Sequence, residues 1–306
     1  MPIFLREPNS SGTVVEFELE RVVFQTRTPH QDVIIADTAY FGRVLFLDGV
    51  VQSSVNDEAM YHEALIHPGV TLHGAPRRVL LGGAGEGAAL RELLRHPGVE
   101  SVLACDIDDE VVQAVREYMP ELCQDAFEDP RVEYRAADVE DVVDGAAPGE
   151  FDVVILDVTD PMDDGPALAL HSVDWYRRVA RALADDGLLI VQSGELDVVD
   201  MLMPRTMRAT LREVFPWTQL VHYHVPSFHS AWTFTLAARR PLELRPADLA
   251  ARIERLAGLR VYTPASHARM LELPAFLEAI MAEPAEPIRG AARDSVYVYA
   301  AARSRG

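Results

Sequence analysis

The 306-residue chain carries 48 acidic against 28 basic side chains, a formal net charge of −20 that disfavours nucleic acid and anionic membranes as partners and favours cationic ligands. Hydrophobic residues make up 49% and charged residues 25%, as in a soluble globular protein, and no run of about 18 apolar residues offers a membrane span. Only Cys105 and Cys123 are present, which argues against a disulfide framework or a cysteine zinc site; with an opening stretch, MPIFLREPNSSG, that lacks signal-peptide character, this points to the cytoplasm.

Residues 13 to 53 alternate apolar and polar positions in TVVEFELERVVFQT, QDVIIADT and GRVLFLDGVVQSS, the period of antiparallel strands with one dry face. A small β domain is expected over 1–54 and a larger α/β domain over 55–306. NDEAMYHEALIHPGVTL follows as an amphipathic helix, with Asn56 as its cap and Pro68 near its end. From Arg77 strands and helices alternate: RRVLLGG then EGAALRELLRH, VESVLACDID then DEVVQAVREYM, RVEYRAAD then VEDVVDG. FDVVILDV then precedes SVDWYRRVARALADDG, and LLIVQSG precedes VDMLMPRTMRATLREVF. Apolar strands in such units call for a Rossmann-like parallel sheet with helices on both faces. TQLVHYHVPSF and AWTFTLAARRP are read as an antiparallel pair at the sheet edge. The tail is read as a helix (PADLAARIERLA), a turn-rich stretch and a closing strand, SVYVYAA.

In open α/β sheets ligands sit beyond the carboxyl ends of the strands. LLGGAGEGAALRELLRH places four glycines after the first strand of the large domain, so a ligand can approach the backbone closely. Gly83, Gly85 and Ala88 satisfy the relaxed dinucleotide spacing, but Glu86 would meet a pyrophosphate with like charge. A phosphate-free, cationic nucleoside fits better, and S-adenosylmethionine relatives carry a sulfonium and an amine that a carboxylate attracts. Asp106, ending the second strand, is placed to accept ribose hydroxyls, and Asp138, ending the third, the adenine amino group. Asp157 and Asp160 then follow the apolar strand of FDVVILDVTDP, three residues apart in a turn. Together they suit an amine nucleophile: one carboxylate takes the proton the ammonium must lose, and the other grips a second ammonium.

At these motifs, over about residues 17 to 240, the sequence resembles the polyamine aminopropyltransferases, the spermidine synthase family. HQDVIIADTAYFGRVLFLDGVVQSSVNDEAMYHEALIHP, VLLGGAGEGAALRELLRHPGVESVLACDID and ILDVTDP with Gly165-Pro166 are similar to its signature stretches. The resemblance implies aminopropyl transfer from decarboxylated S-adenosylmethionine to putrescine or spermidine, with no metal or other cofactor. It implies that Gln31, His62, Gly83, Glu86, Asp106, Asp138, Val139 and Pro166 contact the donor. Asp157 is implied as proton acceptor, and Tyr61, Asp160, Gln192 and Phe228 as acceptor contacts. A homodimer or homotetramer is implied as well. Departures from the family pattern are Glu86 for aspartate, Asp106 for glutamate, Val139 for glycine, His30 for tyrosine and Phe228 for tyrosine. Glu86, MYHEALIHP, DPMDDGP and HVPSF (224–228) together lean towards thermospermine synthases, which extend spermidine.

Two other readings compete. A small-molecule methyltransferase shares the fold, but commonly carries an acid two residues before the first loop glycine, where this chain has Leu80. A non-catalytic polyamine-binding homologue is disfavoured by the intact glycine loop and Asp157. His222, His224 and His229 raise a metal site, but no third ligand joins the two that share a strand face. Met201, Met203 and Met207 are read as core filling.

Overall fold

The computed structural model describes residues 3–8, 13–159, 166–199 and 201–289. β1 (Ile3–Pro8) pairs antiparallel with β2 (Val14–Leu19), and β3 (Arg21–Arg27), β4 (Asp32–Thr38), β5 (Gly42–Leu47) and β6 (Val50–Ser54) form a four-stranded antiparallel sheet in that order. Where alternation led to the expectation of one dry face, runs such as Ile35-Ala36 and Val44-Leu45-Phe46 bury both faces of this sheet. Val33, Ile35 and Leu45 pack on residues of the large domain, and Ala36, Val44 and Phe46 pack on Phe17 of the hairpin. Asp48 and Gly49, both at positive φ (50° and 79°), make the tight turn from β5 to β6. β1 escaped the reading from residue 13 onward. Its apolar Ile3 and Phe4 stay half exposed, so no buried alternation marks it.

The large domain runs α1 (Glu58–His73), β7 (Arg78–Gly82), α2 (Ala88–Leu94), β8 (Ser101–Asp106), α3 (Asp109–Tyr118), α4 (Pro120–Cys123), β9 (Val132–Ala136), α5 (Val139–Gly145) and β10 (Phe151–Leu156). It continues with α6 (Val173–Ala182), β11 (Leu183–Glu195), α7 (Leu202–Arg212), β12 (Trp217–Val225), β13 (Ser230–Ala238), α8 (Pro246–Ile253), α9 (Pro264–Leu271) and α10 (Ala275–Ala282). Seven strands lie in the order β12-β13-β11-β10-β7-β8-β9. The five from β11 to β9 are parallel, and β13 runs antiparallel to both β11 and β12. The expected edge pair is therefore present.

Each central strand feeds two cores. Val79, Leu81, Val153, Ile155, Leu188 and Ile190 meet Leu65, Ile66, Leu90 and Leu93 of α1 and α2 on one face. Leu80, Val154, Leu156, Leu189 and Val191 meet Val143, Trp175, Tyr176 and Met207 on the other. Burial of such rows, at roughly 25 cal/mol per Å² of apolar surface, is the main force holding the helices down. Met201, Met203 and Met207 are buried as core filling. Gly69 lets α1 lie close: a Cβ there would come within 2.6 Å of Ile190 Cδ1.

Several boundaries differ from the sequence reading. Pro68 is inside α1, which runs on to His73. The helix begins after Asp57, while the Asn56 amide turns away to donate to the Tyr40 carbonyl at 2.7 Å. α6 stops at Ala182 and the following LADDG already belongs to β11. The turn-rich tail holds α9 and α10; SVYVYAA lies outside the described residues.

Candidate active site

The sheet changes direction between β7 and β10: the chain winds outward from β7 through β8 and β9, then returns to β10 on β7's other side. Gly82 and Leu156 end their strands in register there. Gly83 sits at φ 82°, and a Cβ on it would lie 2.1 Å from the Asp157 carbonyl oxygen. Only glycine permits both the turn and that approach. The Gly83 and Ala84 amides donate to the Cys105 carbonyl (3.0 and 3.1 Å), and the Gly85 amide donates to Asp106 Oδ2 (2.8 Å). The glycine turn is thus tied to the neighbouring strand end rather than left open.

Asp106 accepts a second backbone bond at Oδ1 from the Asp108 amide (2.9 Å). Burial pushes its carboxyl up to about 6, against those two donors, with the charges of Asp108 and Glu86 adding to the rise. Asp138 caps α5, accepting from the Glu140 amide at 2.8 Å. Val139 is packed so closely over Gly82 that a Cβ there would fall 2.5 Å from its Cγ2. Gln31 joins this wall from the β domain by donating to Asp108 Oδ2 at 2.9 Å.

α1 supplies the opposite wall. The Tyr61 hydroxyl donates to Asp157 Oδ1 at 2.5 Å. His62 Nδ1 faces two acceptors, the Glu58 carbonyl (2.9 Å) and Glu58 Oε2 (3.1 Å), and so carries a proton; its Nε2 lies 3.3 Å from Glu86 Oε2. Glu58, itself buried, is gripped by Arg91 at 2.8 and 3.0 Å and by Arg260. One residue cluster on, Glu63 accepts three backbone amides, from Arg260, Val261 and Tyr262, at 2.7 to 2.9 Å. The C-terminal segment is therefore clamped onto the helix that carries Tyr61 and His62.

Asp157 is the most perturbed acid in this cleft. Burial pushes its carboxyl up to about 7; the charges of Glu86 and Asp106 add to the rise, while His62 and the Tyr61 hydrogen bond oppose it. Phe228 lies in a 3-10 turn, Pro226–Phe228, with its ring 5.6 Å from Tyr61 and 5.0 Å from Trp232. That turn is fixed by Asp57, whose carboxylate accepts from the Ser227 amide (2.6 Å) and from Ser54 Oγ (2.6 Å) in place of capping α1. Gln192 is buried; its amide donates to the Val158 carbonyl (3.2 Å) and its Oε1 accepts from the Gly194 amide. It props the chain just after Asp157. Asp160 lies outside the described residues. Pro166 begins a 3-10 segment, Pro166–His171.

Sequence reasoning passed over several charged groups. Glu7 on β1 accepts from the Val51 amide (3.1 Å); burial raises its carboxyl to about 7, and the charge of Glu195, at the end of β11, adds to the rise. Glu58, Arg91 and Arg260 were likewise unmarked, since nothing in their spacing signals a shared site. His222 Nε2 donates to the Glu272 carbonyl (2.8 Å), and no group of three metal-ligating side chains occurs among the described residues. No helix among them is long and apolar enough to cross a membrane.

A parallel sheet of this order, with a glycine turn and carboxylates at successive strand ends, defines the methyltransferase-like class of nucleoside-binding α/β proteins. Its solved neighbours narrow that class. Spermidine synthase from Thermotoga maritima superposes with a TM-score of 0.79 at 26% identity, covering 92% of this chain and 96% of that one. A spermidine synthase in complex with the transition-state analogue AdoDATO gives 0.80 at 26% identity over the same shares. Residues 58–244 match the model of the spermine/spermidine synthase domain, and residues 3–54 that of the spermidine synthase tetramerisation domain. The polyamine aminopropyltransferase of Moorella thermoacetica is 35% identical over 291 residues, 93% of this chain and 98% of the relative. That of Synechococcus sp. is 41% identical over 230 residues, 74% and 73% of the two chains. The chain belongs to the spermine/spermidine synthase family of polyamine aminopropyltransferases, and is a transferase.

Proposed function

We propose that this protein moves the aminopropyl group of decarboxylated S-adenosylmethionine onto a primary amine of putrescine or spermidine, releasing methylthioadenosine. The amine lone pair forms the new carbon–nitrogen bond at the propyl carbon beside the sulfonium. The carbon–sulfur bond breaks, and its electron pair returns to sulfur as a neutral thioether. A sulfonium is already a good leaving group, so the displacement calls for alignment and for a proton acceptor rather than for a metal or a redox cofactor.

The observation that carries the reading is Asp157, a carboxylate poised at about 7, bonded to Tyr61 and set in the field of Glu86. A base of that strength is matched to taking a proton from an ammonium near neutral pH. Asp106 and Asp138 are assigned the ribose hydroxyls and the adenine amino group. Gly83, Val139 and Pro166 border the same donor pocket, which Gln31 and His62 close. Glu86 is assigned the donor's terminal ammonium, and by repulsion it disfavours ordinary S-adenosylmethionine, which keeps a carboxylate at that end. Tyr61 and Phe228 form an apolar wall for the acceptor's methylene chain. Asp160 and the Glu7–Glu195 pair supply negative charge for its ammonium groups, while Gln192 acts on the acceptor through the backbone it props.

Incubation with decarboxylated donor and a panel of amines tests the assignment. Methylthioadenosine and an amine one aminopropyl unit longer are expected; a methylated amine would establish the methyltransferase reading instead. The exposed apolar side chains of the hairpin, Ile3, Phe4 and Val14, support assembly as a homodimer or homotetramer through the N-terminal strands, in the cytoplasm.

A further inference from the structure

Asp108 holds the N-cap position of α3, yet its side chain makes no capping bond. A buried N-cap aspartate that leaves the first turn of its helix unserved gives up a stabilising bond, and its carboxylate is committed elsewhere. Oδ2 receives Thr28 Oγ1 at 2.6 Å and Gln31 Nε2 at 2.9 Å, both from the loop between β3 and β4 in the other sheet. Asp108 is 2% exposed and Thr28 5%, so water competes little for these bonds. Thr28 in turn receives the His30 and Gln31 amides (3.1 and 3.0 Å), which shapes the backbone that presents Gln31. From the same residue, the Asp108 amide fixes Oδ1 of Asp106 at 2.9 Å. One residue therefore bolts together the ribose-side acid of the large domain and a glutamine offered by the small one.

We propose that Asp108 is a positioning residue for donor binding, acting by holding the Gln31 side chain against the wall that Asp106 begins. The proposal rests on the reading of Gln31 as a donor contact. An unanchored glutamine has three rotatable side-chain bonds to order on every binding event, and the carboxylate removes that cost beforehand. No local pattern signals this contact, because Asp108 and Gln31 are 77 residues apart.

A double-mutant cycle tests it, with KM for decarboxylated S-adenosylmethionine, KM for the amine and kcat measured on the full chain. Asp108→Ala and Gln31→Ala are each expected to raise donor KM about tenfold, the effect of losing one hydrogen bond to a charged group, with amine KM and kcat nearly unchanged. The double variant is expected to be no worse than the poorer single, because both changes remove the same contact. Asp108→Asn, which keeps an acceptor oxygen for Gln31, is expected to recover most of the loss. Should Asp108→Ala fail to fold, Asp108→Ser completes the cycle with a side chain too short to span the gap. Effects that multiply in the double variant, with Gln31→Ala active alone, would overturn the positioning role while leaving Gln31 as a donor contact. An unchanged donor KM in Gln31→Ala would overturn the reading of Gln31 and the proposal with it.

Discussion

The two sides of the cleft are built in different ways. The side assigned to the donor is made from the ends of consecutive parallel strands: Gly83 follows β7, Asp106 ends β8, and Asp138 follows β9. Each residue is placed by its own strand and locked by backbone bonds a few ångströms away. The side assigned to the acceptor is gathered from distant segments: Tyr61 from α1 and Phe228 from the β12–β13 turn, whose rings lie 5.6 Å apart. Asp157 stands between the two. On this assignment the donor is held by local backbone geometry, whereas the choice among amines is left to side chains that long-range packing brings together.

The largest expected effect lies at the junction. Asp157→Asn should lower turnover by about 100- to 10,000-fold while donor affinity, measured by titration calorimetry, changes little. The same variant should be more stable than the wild type at pH 8. An acid whose folded pKa is raised binds its proton more tightly when folded, so its contribution to stability falls as pH rises from the unfolded value, 3.8, towards about 7. The gain in melting temperature should therefore shrink towards pH 4.

On the donor side, Glu86→Gln should raise KM for the decarboxylated donor by about 10- to 100-fold, from losing one charged hydrogen-bond partner. It should also narrow the preference over ordinary S-adenosylmethionine. An equal loss for both donors would show that Glu86 acts on shape alone and would break the division drawn above.

Smaller shifts read Asp157 directly. kcat/KM should rise with pH through about 7 as the carboxyl ionises, and the limb in kcat should lie lower, because a bound sulfonium and ammonium favour the charged form. Tyr61→Phe removes a hydrogen bond that stabilises the carboxylate, so its kcat/KM limb should move to higher pH. On the acceptor side, Phe228→Tyr should leave donor KM unchanged and alter only the ratio of kcat/KM between putrescine and spermidine.

How much of this was legible follows from the same contrast. Asp106 and Asp157 could be picked out because each closes an apolar strand, Asp138 because it follows β9, and Glu86 because it interrupts a glycine turn; a strand end in a parallel sheet is a place ligands go. The seven-stranded sheet and its antiparallel edge were legible from the same alternation. Asp57, which sets Phe228 through Ser227, reaches across 170 residues, and Arg260 reaches Glu58 across 202. No local pattern encodes such contacts. Asn56 was read as the helix cap from residue type alone, but Asp57 occupies that position with its carboxylate drawn off to Ser54 and Ser227. Gln192, implied as an acceptor contact by the family resemblance, also donates to the Val158 carbonyl 34 residues away, a bond that no local pattern encodes. β1, α9 and α10 were missed, though α8 was expected, because short elements with half-exposed apolar residues lack a clear period.

The most direct test of the account is a single-turnover reaction analysed by mass, with wild type and Asp157→Asn side by side and with decarboxylated and ordinary S-adenosylmethionine as alternative donors. The wild type should yield methylthioadenosine and an amine extended by one aminopropyl unit from the decarboxylated donor alone, and Asp157→Asn should bind that donor and turn it over slowly. Methyl transfer from ordinary S-adenosylmethionine, or undiminished aminopropyl transfer by Asp157→Asn, would contradict it.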